Sequence, residues 1–223
     1  MNDRPATETA TPRVVVLLAA YNASKTIREA VTSLLSNTLA ADILVIDDCS
    51  PEPVADVLAD LVAAHPGRLR VMRMAKNSRQ SSCLNAGLYE MLPRGYEFVA
   101  LMDADDIALP ERLARQAAYL DANPEVGAVG SWMHTFDETT LEPMYVHRHP
   151  TDDEGIRRAM FFNSAMVHPS MMVRAEVFRL MGGYNPALQA AEDYELWRRI
   201  QTRWKLANLP EVLLRYRLSS QGQ

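Results

Sequence analysis

The chain of 223 residues is long enough for a large core, and 48% of it is apolar, which excludes an intrinsically disordered protein. A formal net charge of −5 without a basic stripe argues against nucleic acid as the partner, because neutralising phosphates takes clustered Lys and Arg. A small anionic ligand, which needs only a local pocket, stays open.

Residues 1–12 are polar and rich in Thr, Ala and Pro, with no apolar h-region, so they read as a disordered tail and not a signal peptide. The apolar run that follows is too short to span a bilayer, which places the chain in the cytoplasm, with peripheral membrane association open. That run, Val14-Val15-Val16-Leu17-Leu18-Ala19-Ala20, lacks polar alternation and predicts a strand covered on both faces. Ser24 offers an N-cap to a helix with Ile27, Ala30, Val31, Leu34 and Leu35 on its apolar stripe. Ile43-Leu44-Val45-Ile46 is a second buried strand ending at Asp47-Asp48, and Val54, Leu58, Leu61 and Val62 mark the next helix. A third strand over 69–74 and a helix over 82–92 follow. A fourth strand, Phe98-Val99-Ala100-Leu101-Met102, runs straight into Asp103.

The second half is less regular. Pro110 opens a helix to about Leu120. Residues 126–131 read as a strand, 135–150 as irregular, 152–162 as a short helix, 171–173 as a strand, and 176–181 as a helix ending at Gly182-Gly183. A helix over 191–203 carries Tyr194, Trp197, Ile200 and Trp204 on one side, and 212–214 is a late strand. Strands alternating with helices imply an α/β fold with a mostly parallel central sheet flanked by helices, whose ligands bind at the carboxyl ends of the strands. The unusual polar residues fall there: Tyr21-Asn22, Asp47-Asp48, and Asp103-Ala104-Asp105-Asp106.

Two Asp one residue apart on a loop leaving a buried strand suit Mg²⁺ or Mn²⁺, hard cations that take one or two carboxylates and let substrate phosphates complete the shell. The competing reading makes Asp103, Asp105 and Asp106 turn and cap residues, and Asp106 suits that role best. Asp48 can accept from a base N–H or a ribose hydroxyl, and Tyr21 can stack on a base; turn chemistry is again the alternative. Asp193, early in the Trp197 helix, is placed as a general base can be; taken alone, an ordinary acidic first turn explains it better. Cys49 and Cys83 are too few for a disulfide framework and read as small, mostly buried thiols of a reducing compartment. The five His show no metal-ligand spacing, and no P-loop, GxGxxG or GxSxG is present.

In order and spacing, these segments resemble family 2 glycosyltransferases of the GT-A, Rossmann-like fold. The resemblance rests on Ala20-Tyr21-Asn22, Val45-Ile46-Asp47-Asp48, Asn85-Ala86-Gly87 and Leu101-Met102-Asp103-Ala104-Asp105-Asp106. It continues through Pro110-Glu111-Arg112, His168-Pro169-Ser170, Gly182-Gly183-Tyr184, Ala191-Glu192-Asp193-Tyr194 and Leu214-Arg215-Tyr216-Arg217. It implies one domain over 13–217, with a nucleotide-sugar-binding half (13–110), an acceptor and catalytic-base half (111–217), and a tail (218–223). It implies that Tyr21 and Asp48 hold the nucleotide base, most often uracil. Asp105 then ligates Mn²⁺ or Mg²⁺ with Asp103 beside it, and Asp193 is the base of an inverting transfer. The implied partners are a UDP-sugar donor and a glycan, lipid-linked or other hydroxyl acceptor, in cell-surface polysaccharide or glycoconjugate synthesis. A sugar nucleotidyltransferase or a catalytically impaired nucleotide-sugar-binding module are the alternatives.

The chain departs from the family pattern in places. Arg79 stands where a small residue is common and reads equally as a phosphate contact or a solvent-exposed cation. Leu84 replaces an Arg, and Ser219 replaces a His near the C-terminus. The chain stops at Gln223, where many relatives continue, which reads as a minimal catalytic domain or a piece of a longer protein.

Overall fold

A computed structural model describes residues 12–137, 140, 142–188 and 190–218. Almost all of the expected N-terminal tail, and the C-terminal residues from Ser219 onward, lie outside them.

The chain begins with β1 (Val14–Ala20), α1 (Ile27–Leu35), β2 (Asp42–Asp47), α2 (Val54–Val57), α3 (Ala59–Ala64) and β3 (Leu69–Arg73). It continues through α4 (Arg79–Met91), β4 (Phe98–Asp103), β5 (Ile107–Ala108), α5 (Arg112–Ala122), β6 (Val126–Asp137) and β7 (Pro143–His147). The remainder is α6 (Asp153–Ala159), β8 (Met172–Arg174), α7 (Ala175–Met181), α8 (Glu192–Ile200) and β9 (Lys205–Leu218). Among the described residues one sheet holds all nine strands, in the order β3-β2-β1-β4-β8-β6-β9-β5, with β7 paired to β6.

The first four strands in that order are parallel. Beyond β4 the sheet is mixed: β8 is antiparallel to both β4 and β6, β9 runs parallel to β6, and β5 is antiparallel to β9. Side chains on a strand alternate between faces, and both faces are covered here. Val14, Val16 and Leu18 join one core with residues of α1 and α5, while Val15 and Leu17 join another with residues of α4, α7 and α8. A strand buried on both sides has no reason to alternate polar residues, which is why β1, β2 and β4 are continuous apolar runs.

The sheet curls. Ala108 of its far-edge strand β5 donates its backbone N–H to Ser33 of α1 at 3.0 Å, bringing that edge back over the helix that follows β1. Residues 135–150 depart from the irregular expectation at 135–137 and 143–147, which form the end of β6 and the edge strand β7 paired to it. The late strand is also far longer than 212–214, because β9 follows β6 over nearly its whole length. α1 starts at Ile27 with Thr26, not Ser24, as the capping position.

α4 approaches the sheet closely at Gly87, where a Cβ would press on Ile46 and Leu17. Under the junction of the two halves lies Arg112, fully buried. Its guanidinium donates to the carbonyls of Leu101 at 2.7 Å and Met171 at 3.3 Å, and to Gln116 Oε1 at 3.1 Å. Gln116 in turn donates to the carbonyls of Val129 and Ser170. This pair cross-ties β4, β6 and the turn before β8, and burial lowers the Arg112 pKa to about 10. No helix among the described residues is long and apolar enough to cross a membrane.

Candidate active site

The parallel strands end at a cleft with two compartments that share Gln80, Asp103 and Tyr216 in their walls. One, of about 410 Å³, collects Tyr21, Asn22, Asp48, Asp103 and Asp105 from the ends of β1, β2 and β4. The other, of about 420 Å³, has Glu192 and Asp193 in its wall, with Tyr145, His168 and Tyr184. Both volumes suit a small-molecule ligand.

The three strand ends therefore meet as the sequence implied, but their acids differ in role. Asp47 is buried and accepts from the backbone N–H of Ser50 at 2.9 Å and of Val54 at 3.3 Å, and from Arg73 Nη1 at 2.5 Å. Burial penalises its charge, yet these donors outweigh that and hold its pKa below the usual value. Asp48 turns into the first compartment, while its two oxygens accept the N–H groups of Ser78 at 2.7 Å and Arg79 at 2.9 Å, at the start of α4. Tyr21 stands at the mouth, 54% exposed.

Asp106 is the structural member of its trio. It is buried, accepts Arg217 N at 2.9 Å, and so pins β9 to the loop. Burial first, and the neighbouring Asp103 charge second, push its pKa well up. Arg217 also donates to the Asp105 carbonyl at 2.7 Å. Asp103 and Asp105 both border the first compartment. Among the described residues no cluster of three or more His, Cys, Asp or Glu is arranged to hold an ion alone. Mg²⁺ or Mn²⁺ needs only one or two protein carboxylates when phosphate oxygens complete its shell, so this pair fits an ion shared with a diphosphate.

Asp103 sits at the seam. Gln80 Nε2 donates to its Oδ1 at 3.0 Å, and His168 Nδ1 lies 3.6 Å from the same oxygen. His168 Nε2 meets the Tyr184 hydroxyl at 2.8 Å. Burial, then the charges of Asp193, Asp103 and Glu192, raise the Tyr184 pKa well above its usual value, so the phenol keeps its proton beside Nε2. Asn85 anchors Tyr184 by both backbone groups, accepting its N–H and donating to its carbonyl, each at 2.8 Å. A Cβ at Gly183 would collide with the Asn85 amide, which is why the position is glycine.

Asp193 opens α8 and accepts the N–H of Tyr194 at 2.7 Å. Arg79, by contrast, is exposed and borders neither compartment. Leu84 is buried beside the second compartment, away from the first. Cys83 is buried and Cys49 half-buried, both free. Among the described residues the non-glycine positions with positive φ are Asn22, Cys49, Arg79 and Ala191. All four flank cleft residues, at a cost on the order of 1 kcal/mol each, the pattern of strain held at functional sites. Sequence reasoning missed Gln80, for which no local signal exists. It also left Asn85, His168 and Tyr184 as family-like segments without roles.

The family model "Glycosyl transferase family 2" matches residues 15–181. The chain belongs to glycosyl transferase family 2. A relative, an uncharacterized glycosyltransferase of Haemophilus influenzae, is 30% identical over 93% of this chain and 66% of its own length. The amylovoran biosynthesis glycosyltransferase AmsE of Erwinia amylovora is 33% identical over 92% of this chain and 76% of its own. Among solved structures, the S. aureus TarS fragment 1-349 superposes with a TM-score of 0.75 at 19% identity, covering 92% of this chain and 60% of that one. The mannosyltransferase PcManGT of Pyrobaculum calidifontis, solved with GDP-Man and Mn²⁺, gives 0.72 at 18% identity, over 96% of this chain and 59% of that one. The chain thus spans a little under two thirds of the Haemophilus relative and of both solved structures. These likenesses bear out the GT-A fold.

Proposed function

We propose that this chain transfers a sugar, with inversion, from a UDP-sugar to a hydroxyl acceptor, and that the two compartments divide the work. The carrying observation is the shared wall at Asp103, with Asp105 on one side and Asp193 on the other. Tyr21 stacks on the base, and the free lone pairs of Asp48 accept from base or ribose. Asp105 and Asp103 would hold Mn²⁺ or Mg²⁺ against the diphosphate, where the ion's Lewis acidity eases departure of the leaving group. Arg79 is left out of this donor site, since it borders neither compartment.

In the second compartment Asp193 takes the proton of the acceptor hydroxyl as that oxygen attacks the anomeric carbon from the face opposite the diphosphate. The new C–O bond forms as the bond to the diphosphate oxygen breaks, through an oxocarbenium-like transition state and without a sugar–enzyme intermediate. Asp193 is held by the first turn of α8, and Asp103 by Gln80, so neither must be ordered at the moment of reaction.

The relative named for amylovoran biosynthesis supports a place in cell-surface polysaccharide synthesis. The free thiols support a cytoplasmic setting, peripheral to the membrane where the acceptor is lipid-linked. The test is UDP-sugar turnover with Mn²⁺ and the acceptor pool. Asp193→Asn should slow transfer by about 10²- to 10⁴-fold, and unchanged transfer would remove Asp193 from the mechanism.

A further inference from the structure

Three strands of the mixed half carry a register that the reaction chemistry does not use. β7, β6 and β9 lie side by side, with Tyr145 opposite Thr135 and Thr135 opposite Tyr216. All three residues border the second compartment. The row is therefore an aromatic ring, a small buried residue, and a second aromatic ring. Two strand spacings put the outer backbones about 10 Å apart. Thr135 Oγ1 donates to the Tyr145 carbonyl at 3.0 Å, which ties the centre of the row to its edge. His147, two residues along β7 and so on the same face, packs its ring 4.5 Å from that of Tyr145 and props it. Tyr145 nevertheless stays 51% exposed, a large apolar face offered to the cleft at an edge strand.

The charge of this compartment is one-sided. Asp103, Glu192 and Asp193 border it, and among the described residues no Lys or Arg does. An acceptor carrying a carboxylate or phosphate on its reacting sugar would meet these acids with no Lys or Arg to balance it, only His147 and His168.

Resting on the transferase reading above, we propose that the acceptor is the neutral terminal pyranose of a glycan. It packs its ring face on Tyr145, with Tyr216 across Thr135 on the other side and its hydroxyls toward Glu192 and Asp193. Ring stacking selects the flat apolar face of a pyranose, and the acids select hydroxyl donors over anions. Tyr145 is then a specificity-determining residue of the acceptor side.

The test is saturation-transfer NMR with UDP and Mn²⁺ present. It compares methyl glucoside, galactoside and mannoside with methyl glucuronide and a sugar 6-phosphate. UDP binding is measured by calorimetry on the same samples. At least one neutral glycoside should show saturation through its ring protons, and both anionic probes should show none. Tyr145→Ala should weaken the neutral signal about three- to tenfold, Tyr145→Phe should keep it, and UDP affinity should not move in either. Saturation of the anionic probes equal to the neutral ones would overturn the proposal, as would an unchanged neutral signal in Tyr145→Ala. Intact UDP binding with no glycoside signal overturns the acceptor assignment alone. Loss of UDP binding in the wild-type chain overturns the transferase reading beneath it.

Discussion

The two compartments of the cleft are nearly equal in size but are built differently. The first compartment, the proposed donor side, is the meeting of parallel strand ends, β1, β2 and β4, in a sheet buried on both faces. The second compartment, the proposed acceptor side, is assembled from the β6–β7 ribbon, the far end of β9, the turn at His168 and the start of α8. A strand end in a doubly covered sheet has one direction to point, so its residues acquire their place from local pattern alone. The acceptor side has no such rule. Its geometry depends on hydrogen bonds between segments far apart in sequence, such as Asn85 to Tyr184.

The sharpest break between the sides comes from Asp193→Asn. It should cost about 10²- to 10⁴-fold in transfer rate, the range for loss of a general base, with UDP affinity unchanged. A steady-state assay beside UDP calorimetry checks it, and a parallel loss of UDP binding would show that the compartments are not separable.

Asp47→Ala should destabilise the fold by about 2–3 kcal/mol in urea titration, since it strips partners from two buried backbone N–H groups and breaks the Arg73 pair, discounted for that arginine's exposure. The folded-state pKa of Asp47 is depressed, so its stabilisation is fully present above the ordinary value of 3.8 and is lost as pH falls through the lower folded-state value. The variant should therefore show a shallower loss of stability at acid pH than the parent.

Gly183→Ala sharpens the comparison from the other side. Its Cβ would displace the Asn85 amide and with it Tyr184, costing about 1–2 kcal/mol. Transfer should fall more than UDP affinity does. Thermal denaturation and the same two assays measure both effects. The smallest effect belongs to Arg79→Gly. Relieving a positive φ of 69° at an exposed position should add about 0.5–1 kcal/mol of stability and leave UDP affinity as it is. A clear loss of UDP affinity would return Arg79 to the donor site.

The sequence made much of this arrangement legible, for reasons that follow from burial. β1, β2 and β4 stood out because both faces are covered, so Val14 to Ala20 needed no alternation to be read as a strand. β7 did not, because it is an exposed edge strand that opens on Pro143 and carries Tyr145 and His147 on its cleft face. β9 was visible only at Val212 to Leu214, since Asn208 and Pro210 interrupt its apolar first half and Arg215-Tyr216-Arg217 follow its centre. In the site, Asp48, Asp103, Asp105 and Asp193 were singled out by position, and the cleft brings all four to its walls. Gln80 and the linked Asn85, Tyr184 and His168 escaped because nothing local to a residue reveals a partner 23, 99 or 16 positions away.

The central claim is that donor binding and proton removal belong to opposite sides of the Asp103 seam. Titration of UDP by calorimetry into Asp105→Ala and Asp193→Asn, side by side with Mn²⁺, tests it most directly. The account predicts that Asp105→Ala loses the Mn²⁺-dependent part of UDP binding while Asp193→Asn binds as the parent does. Equal affinities in the two variants, whether both lost or both intact, would contradict it.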